Sequence, residues 1–270
     1  MRGKPERTGA MFALLLACAL WSSGASAFAQ TPPAPAATPK PFDLDLSFAA
    51  SSLDGTYNSW FEGRLGFRKD LGERRVLFGA ATTARRFGVD AQEYALGGSR
   101  PIAGRLTGGV ELTAGSGSRF FADWSGFGEL GLRLDGGFAL GASYRHREYS
   151  GNGVEIANAT LEKYAGAYRV AYTFWLSKVE LSPSGRRGSH SVSVTRYYGE
   201  RSNVSLIIGA GDGLETLDRQ RVVETETRTA VVSGAHWISE RLALTYAAGW
   251  HRQDPFYDRL EVQVGLRRRF

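Results

Sequence analysis

The stretch LEVQVGLRRRF, Leu260 to Phe270, decides the fold of this chain. Its apolar residues occupy every second position: Leu260, Val262, Val264 and Leu266. Polar or small residues fill the positions between them: Glu261, Gln263, Gly265 and Arg267. An alternation with period two is typical of a β-strand with one apolar and one polar face. The sequence therefore predicts a strand that ends on an aromatic residue.

The same period recurs upstream. It places apolar residues on one face in the segments 60–68, 137–147, 168–176 and 242–250. Counting such segments from Asp43 gives about fourteen strands, with twelve or sixteen as alternatives. A soluble antiparallel sandwich has the same period, but three features favour a membrane barrel. The segments reach roughly ten residues, which suits a tilted membrane strand. Aromatic residues gather near strand ends, and the chain stops inside an alternating strand. The aromatic residues at strand ends are Tyr57, Trp60, Tyr164, Tyr168, Tyr197, Tyr198 and Trp237.

A strand in lipid needs a closed sheet, because backbone groups at an open edge would find no water to bind. The predicted fold class is an all-β, transmembrane, antiparallel up-and-down β-barrel over residues 42–270. Short turns at 135–136, 165–166 and 199–202 contrast with longer connections at 114–123, 178–188, 209–220 and 252–258. Barrels of this kind keep their short turns in the periplasm. We therefore expect both termini to be periplasmic.

The first 41 residues differ from the rest. Arg2, Lys4 and Arg7 precede an apolar run, and small residues follow at 25–29, which predicts a cleaved secretory signal peptide over residues 1–29. Cys18, the only cysteine, leaves a lipid-modified terminus as the alternative. Residues 30–41, QTPPAPAATPKP, are dense in Pro and Ala and predict an extended linker.

Composition excludes other classes. The formal net charge of +6 is spread along the chain, whereas a nucleic-acid-binding protein would have a clustered basic face. After the amino-terminal segment, no stretch approaches the twenty apolar residues of a membrane-spanning helix. The 34 glycines and 12% aromatic residues instead fit a barrel with a lipid face and a polar interior.

Several stretches resemble the YaiO family of outer-membrane barrels over 42–270. They are FADW at 121–124, GFALGASYRHREYSGNGVEI at 137–156, KYAGAYRVAYTFWLS at 163–177 and RYYGERSNVSLIIGAG at 196–211. The resemblance implies the fold and a location in the bacterial outer membrane, but no settled activity. The carboxy-terminus resembles the signal read by the outer-membrane assembly machinery, which is thus an expected partner. Its residues are Val262, Val264, Leu266 and Phe270, while Arg268 departs from the pattern.

Charged residues with period two predict a polar lumen. The candidates form three sets: Glu62, Arg64 and Arg68; Arg145 and Arg147; and Glu224, Glu226 and Arg228. Such charges either line a water channel or pair across strands and fill the interior. The sequence therefore predicts a porin-like structural barrel or a narrow conduit for polar solutes or saccharide chains.

Two other functions remain as alternatives. A lipid- or surface-modifying enzyme would use a rim histidine beside a serine, but no serine stands two residues from His146, His190, His236 or His251. His251 with Asp254 is the remaining acid–imidazole candidate. An adhesion barrel would bind a partner through long loops such as 178–188. The sequence predicts no catalytic residue, metal site or cofactor.

Lipid and lipopolysaccharide are expected partners, because arginine forks match phosphate groups well. The candidate residues are Arg85, Arg86, Arg186, Arg187, Arg219, Arg221 and Arg252.

Overall fold

A computed structural model describes residues 41–54, 59–86, 88–116, 120–150, 152–180, 185–216 and 222–270; the side chains of 214–216 and 222–224 are outside this description. The predicted signal peptide and all but the last residue of the predicted linker lie outside the described residues.

The described chain forms fourteen strands joined into one closed barrel, in agreement with the predicted fold and strand number. The strands are β1 (Phe42–Leu53), β2 (Trp60–Gly72), β3 (Arg75–Arg86), β4 (Val89–Ala103), β5 (Leu106–Ser116), β6 (Trp124–Arg133), β7 (Phe138–Tyr149), β8 (Asn152–Ala165), β9 (Tyr168–Val179), β10 (Arg186–Tyr198), β11 (Ser202–Thr216), β12 (Val222–Trp237), β13 (Leu242–Asp254) and β14 (Tyr257–Arg269). A 3-10 turn, Asp135–Gly137, precedes β7. No helix among the described residues is long and apolar enough to cross a bilayer.

Each strand pairs antiparallel with its neighbours in sequence, and β1 pairs with β14 to close the barrel. At this seam Leu46 lies opposite Leu266 and Phe48 opposite Val264. The amide of Phe270 donates to the carbonyl of Phe42 at 2.9 Å. The end of the barrel that holds Phe42 and Phe270 is called the terminal end, and the opposite end the loop end.

The two faces of the sheet differ as the alternation predicts. Large apolar side chains of β14 point outward: Leu260, Val262, Val264 and Leu266 are half or more exposed. The alternate positions of β14 face the interior, where Arg259 and Glu261 are buried and Gln263 is partly buried. An apolar outer face with polar groups inside is the distribution that lipid requires.

The aromatic residues at strand ends do not all lie on the outer face. Trp60, Tyr164, Tyr197 and Trp237 occupy inner positions of their strands, which corrects their assignment to an interfacial girdle. Arginines explain two of these exceptions, because Arg86 lies over the ring of Trp60 and Arg269 over that of Trp237. Tyr168 and Tyr198 are outer-facing, and Tyr57 lies outside the described residues.

The predicted loop at 209–220 is also wrong in extent, because β11 continues to Thr216. Gly209, Gly211 and Gly213 pair with threonines of β12. Gly211 is required for two reasons: its φ is +155°, which favours glycine, and a Cβ atom there would lie 2.3 Å from the Cα atom of Ser189 on β10. The glycine run therefore belongs to a tightly packed part of the wall.

The barrel interior as the candidate functional site

The inner face carries five of the eight predicted lumen residues. Glu62, Arg64 and Arg68 share the inner face of β2, and Arg145 and Arg147 share that of β7. Each of them is paired in register with a residue whose side chain also points inward. Arg64 is exposed even though it faces the interior, so water reaches this part of the wall. The structure does not bring the β2 and β7 sets together.

Glu226 and Arg228 lie on the opposite face from the one predicted. Thr225, Thr227 and Thr229 take the inner positions of β12, which leaves Glu226 and Arg228 on the outer face. Their side chains pair with each other at 2.6 Å and are each more than half exposed. The sequence ETETRT is polar at every position, so only its pairing with β11 and β13 decides which residues point inward. The side chain of Glu224 lies outside the described residues.

An aromatic cluster narrows the interior at the loop end. Its buried members come from four neighbouring strands, from β14 and from the connection after β5; they are Leu53, Trp60, Ala84, Ala91, Phe120 and Tyr257. Phe120 is only 6% exposed, so the connection between β5 and β6 folds inward at this point. We refer to these six residues as the rim cluster.

Two arginines contact the rim cluster, and Arg86 also pairs with a glutamate of the inner wall. The guanidinium of Arg86 lies over the rings of Trp60 and Phe120 at 5.3 and 5.2 Å and pairs with Glu62 at 2.9 Å. Arg259 lies over the other side of the cluster, 5.1 Å from the ring of Trp60. Cation–π contacts of this kind are strongest where water is excluded, as it is around these buried rings. Arg86 was predicted to contact outer lipid, but it belongs to the interior.

Charged residues of β14, β1 and β2 form a continuous band, which we call the charged arc. Its described members are Asp43, Asp45, Glu62, Arg64, Arg68, Asp70, Arg259, Glu261, Arg267 and Arg269. Asp43 receives two hydrogen bonds from Arg269, at 2.7 and 2.8 Å, and Asp45 one from Arg267 at 2.6 Å. These ion pairs link the first strand to the last and cross the seam of the barrel.

A second charged group lies on β5 and β7. Arg145 pairs with Glu111 at 3.0 Å, donates to Ser125 and covers the ring of Phe127. Both charged side chains are largely buried, at 10% and 16% exposed. A buried pair of this kind is stable only when hydrogen bonds satisfy its remaining donors, as Ser125 does here. Glu111 was not among the predicted residues, although GVELT has the period that would have indicated it.

The inner faces of β10 to β13 form a neutral wall, which we call the hydroxyl arc. Its side chains are small and mostly hydroxylic: Ser189, Ser191, Ser193, Thr195, Ser205, Thr225, Thr227, Thr229 and Ser233. The other inner positions hold glycine or alanine, as at Gly209 and Ala247, or larger side chains, as at Tyr197, Ile207 and Val231. Among the described inner-facing residues of these strands, Arg187 alone carries a permanent charge.

The rim histidines do not form the acid–imidazole pair that was considered as a candidate. His251 points inward and binds Thr229 at 3.1 Å, whereas Asp254 lies on the outer face of the same strand. His146, His190 and His236 are outer-facing.

Two of the arginines considered for phosphate binding are already paired on the outer face. Arg85 binds Asp90 through two hydrogen bonds, and Arg252 binds Asp258 in the same way. Arg186 is exposed, Arg187 faces inward, and Arg219 and Arg221 lie outside the described residues.

The four residues of the expected assembly signal share the outer face at the terminal end. Val262, Val264, Leu266 and Phe270 are each at least half exposed. Arg268 lies on this face too, with its guanidinium 4.9 Å from the ring centre of Phe270. At the barrel edge a long side chain can reach the polar interface.

Solved structures of outer-membrane channels share this architecture. An anion-selective porin from Comamonas acidovorans is 12% identical, over 85% of this chain and 98% of its own, with a TM-score of 0.50. The CymD monoaromatic hydrocarbon channel is 12% identical, over 85% and 88%, with a TM-score of 0.54. A bacterial polysaccharide outer membrane secretin is 9% identical, over 85% and 98%, with a TM-score of 0.53. Identities this low show a common fold alone.

A search of curated proteins finds no match to this sequence. The model of the YaiO membrane beta barrel domain matches residues 42–217, which is more than half of the chain. The match confirms the resemblance found in the sequence, and it agrees with the barrel geometry. The chain is therefore an outer-membrane β-barrel that belongs to the YaiO family.

Proposed function

We propose that this protein is a non-enzymatic conduit for polar solutes, saccharide chains included. The observation that carries the proposal is the hydroxyl arc: an inner wall rich in serine, threonine and glycine, in which Thr195, Thr225 and Thr229 are buried and the six other hydroxyl side chains are partly exposed. Small hydroxyl groups leave room for water and can exchange hydrogen bonds with a passing solute. The rim cluster, which lies at the loop end along β14 and β1 to β4, would narrow this conduit without closing it.

The charges of the inner wall favour anions. Among the described inner-facing residues, arginines outnumber carboxylates. The arginines are Arg64, Arg68, Arg86, Arg133, Arg145, Arg147, Arg169, Arg187, Arg259, Arg267 and Arg269. The carboxylates are Asp43, Asp45, Asp70, Glu62, Glu93, Glu111, Glu129, Glu162 and Glu261. Arg64 is the exposed member of this set, so its charge is the one that a passing ion would meet.

Conductance across a planar bilayer tests the proposal. The purified, refolded protein should give stable single-channel steps and a reversal potential on the anion side in asymmetric KCl. Arg64→Ser should shift that potential toward cation selectivity. Arg228→Ser is the matched control, because it removes the same charge from the outer face.

Solute size is tested separately by swelling of liposomes in sugars of graded size. Entry of a monosaccharide but not of a large oligosaccharide is the expected result for a narrow conduit. A folded barrel that neither conducts nor admits any sugar would overturn the proposal.

We further propose that the terminal end faces the periplasm. Connections at the terminal end run from two residues at 73–74 to four at 238–241, and those at the loop end run from two residues at 255–256 to seven at 117–123. Short periplasmic turns are the rule for barrels of this type. In intact cells, an impermeant thiol reagent should label Ser59→Cys and leave Ala167→Cys unlabelled. The reverse pattern would overturn this orientation.

A further inference from the structure

Three side chains with metal-binding atoms meet on the outer face at the loop end. They are His146 of β7, Glu155 of β8 and Glu180, the residue that follows β9. One ligand atom from each lies within 4.8 Å of the others. A third acidic group is close, since Oε2 of Glu148 lies 3.6 Å from Nε2 of His146. We call His146, Glu155 and Glu180 the rim triad.

Strand pairing brings the rim triad together. His146 is paired in register with Glu155, and Glu155 with Lys178. Beyond the end of β9, the amide of Glu180 donates to the carbonyl of Gly153 at 2.9 Å, which extends the ladder by one step. The three residues thus occupy neighbouring outer positions on consecutive strands, and the barrel wall fixes their spacing.

Gly153 makes room for the third member. A Cβ atom at this position would lie 2.5 Å from the carboxyl carbon of Glu180 and 2.7 Å from its oxygens. The Glu180 carboxylate therefore lies directly over bare backbone, on the side toward His146 and Glu155. Any other residue at position 153 would push this carboxylate away.

Neighbouring side chains hold the other two members in place. The hydroxyl of Tyr144 donates to Oε1 of Glu155 at 3.2 Å. The His146 ring packs on Trp124, with ring centres 5.1 Å apart. Such second contacts orient the ligands of metal sites and tune their affinity.

The charges of the region favour a bound cation. Glu148, Glu155 and Glu180 surround one imidazole, and Lys178 is the one described lysine paired in register with any of them. Like charges this close raise each other's free energy unless a cation lies between them. A nitrogen ligand with two carboxylates suits zinc and similar transition metals, whereas calcium takes oxygen ligands throughout.

We propose that the rim triad binds a divalent transition-metal ion of the zinc class. The ion would join β7, β8 and the start of the connection after β9 on the outer surface. The exposed Glu180 side chain supplies the small movement that brings three atoms, now within 4.8 Å of one another, onto one ion. This site is independent of the conduit, because its ligands lie on the opposite face of the wall.

Calorimetric titration of the refolded protein with Zn²⁺ tests the proposal. We expect one ion to bind per barrel, and His146→Gln to weaken binding at least about tenfold. Glu180→Gln, a change at an exposed residue outside the strands, should weaken it as well. His190→Gln is the matched control, because His190 also lies on the outer face but binds Tyr172.

A second readout reports the position of the ion. Cu²⁺ in place of Zn²⁺ should quench the fluorescence of Trp124, which packs on His146, and Trp124→Phe should remove most of that quenching. The proposal is wrong if the unmodified protein shows no saturable binding of Zn²⁺. It is equally wrong if His190→Gln weakens binding as much as His146→Gln, or if quenching survives in Trp124→Phe.

Discussion

The charged arc and the hydroxyl arc lie next to each other around the same interior, because β13 pairs with β14, yet they are stabilised differently. In the charged arc, carboxylates and guanidinium groups bind one another across strands, as Asp43 binds Arg269 and Asp45 binds Arg267. In the hydroxyl arc, side chains make short neutral contacts, such as that of Thr195 with Ser205 at 2.8 Å. The first wall is held by ion pairs, the second by close packing.

The two arcs therefore contribute differently to the stability of the barrel and to the passage of a solute. In an ion pair the charges of the two partners compensate each other. Most residues of the charged arc therefore contribute more to the closure of the barrel than to contacts with a solute. The hydroxyl arc has weak contacts that water or a sugar can replace at little cost. We therefore expect substitutions in the two arcs to act on unfolding through different physical causes.

The largest effect is expected in the hydroxyl arc, from Gly211→Ala. The new Cβ atom would lie 2.3 Å from the Cα atom of Ser189, and backbone cannot move aside as a side chain can. Overpacking should lower the free energy of unfolding by about 3 kcal/mol or prevent assembly. Urea unfolding in detergent, with heat-modifiable gel mobility as a check of folding, measures the effect.

Gly66→Ala in the charged arc is the matched control. It also lies on the inner face, but the nearest atom to its Cβ would be the carbonyl oxygen of Gly79 at 3.6 Å, an ordinary contact. Gly66→Ala should change the free energy of unfolding by no more than about 0.5 kcal/mol. Equal losses for the two variants would contradict close packing as the special property of the hydroxyl arc.

The next effect belongs to the charged arc. Asp43→Asn removes the charge that binds Arg269 across the seam, and Asp43 is 5% exposed. We expect the free energy of unfolding to fall by about 2 kcal/mol, below the full cost of a broken buried pair, because Arg269 is partly exposed and keeps its contact with Trp237.

Adding Arg269→Gln to Asp43→Asn should recover part of that loss, because the Arg269 guanidinium is then no longer left without its carboxylate. Additive losses in the double variant would show that the two side chains do not interact. Ser47→Ala, on the same inner face of β1, serves as the control.

The strands and most of their faces could be predicted from the sequence, because lipid imposes a strict contrast between neighbouring residues. Leu260 to Leu266 alternate apolar and polar, and β14 has the orientation this predicts. Where neighbouring residues are all polar, the sequence does not predict which of them face inward. Glu226 and Arg228 lie in a run with polar residues on both sides, and only the partner strands fix their face.

Contacts between distant segments of the chain could not be predicted from the sequence either. Asp43 and Arg269 are 226 positions apart, and nothing in either local sequence indicates that they meet. The inward turn of Trp60 depends on Arg86 and Arg259, which come from two other strands. The rim triad was missed for the same reason, because its members lie on two strands and just after a third and have no regular spacing.

A smaller effect is expected from removing one neutral contact in the hydroxyl arc. Thr195→Val keeps the shape of the side chain but removes the hydroxyl that binds Ser205. The free energy of unfolding should fall by about 1 kcal/mol, the usual value for one neutral hydrogen bond. Urea unfolding of Ser205→Ala and of the variant that combines it with Thr195→Val completes a double-mutant cycle. A coupling energy near zero would show that this contact does not stabilise the wall.

The smallest effect on stability is expected for an exposed ion pair, which serves as a comparison for the buried pairs of the charged arc. In the turns at the terminal end, Arg105 binds Asp135 at 2.8 Å, and both side chains are more than half exposed. The hydrogen bond from Arg105 lowers the pKa of Asp135 below its usual value of 3.8. Because the pKa is lowered in the folded state, any stabilisation is present above that value and is lost as the pH falls through the folded-state pKa.

Carboxyl NMR of the refolded protein measures the pKa of Asp135 directly. Arg105→Gln should raise it toward 3.8, and high salt should do the same in the unmodified protein, since salt screens exposed charges. Arg74→Gln, in the neighbouring turn, should leave it unchanged. Neither change should alter urea unfolding at neutral pH measurably, because water already surrounds both groups. If Arg105→Gln destabilised the barrel as much as Asp43→Asn, burial would not be what distinguishes the charged arc from an ordinary surface pair.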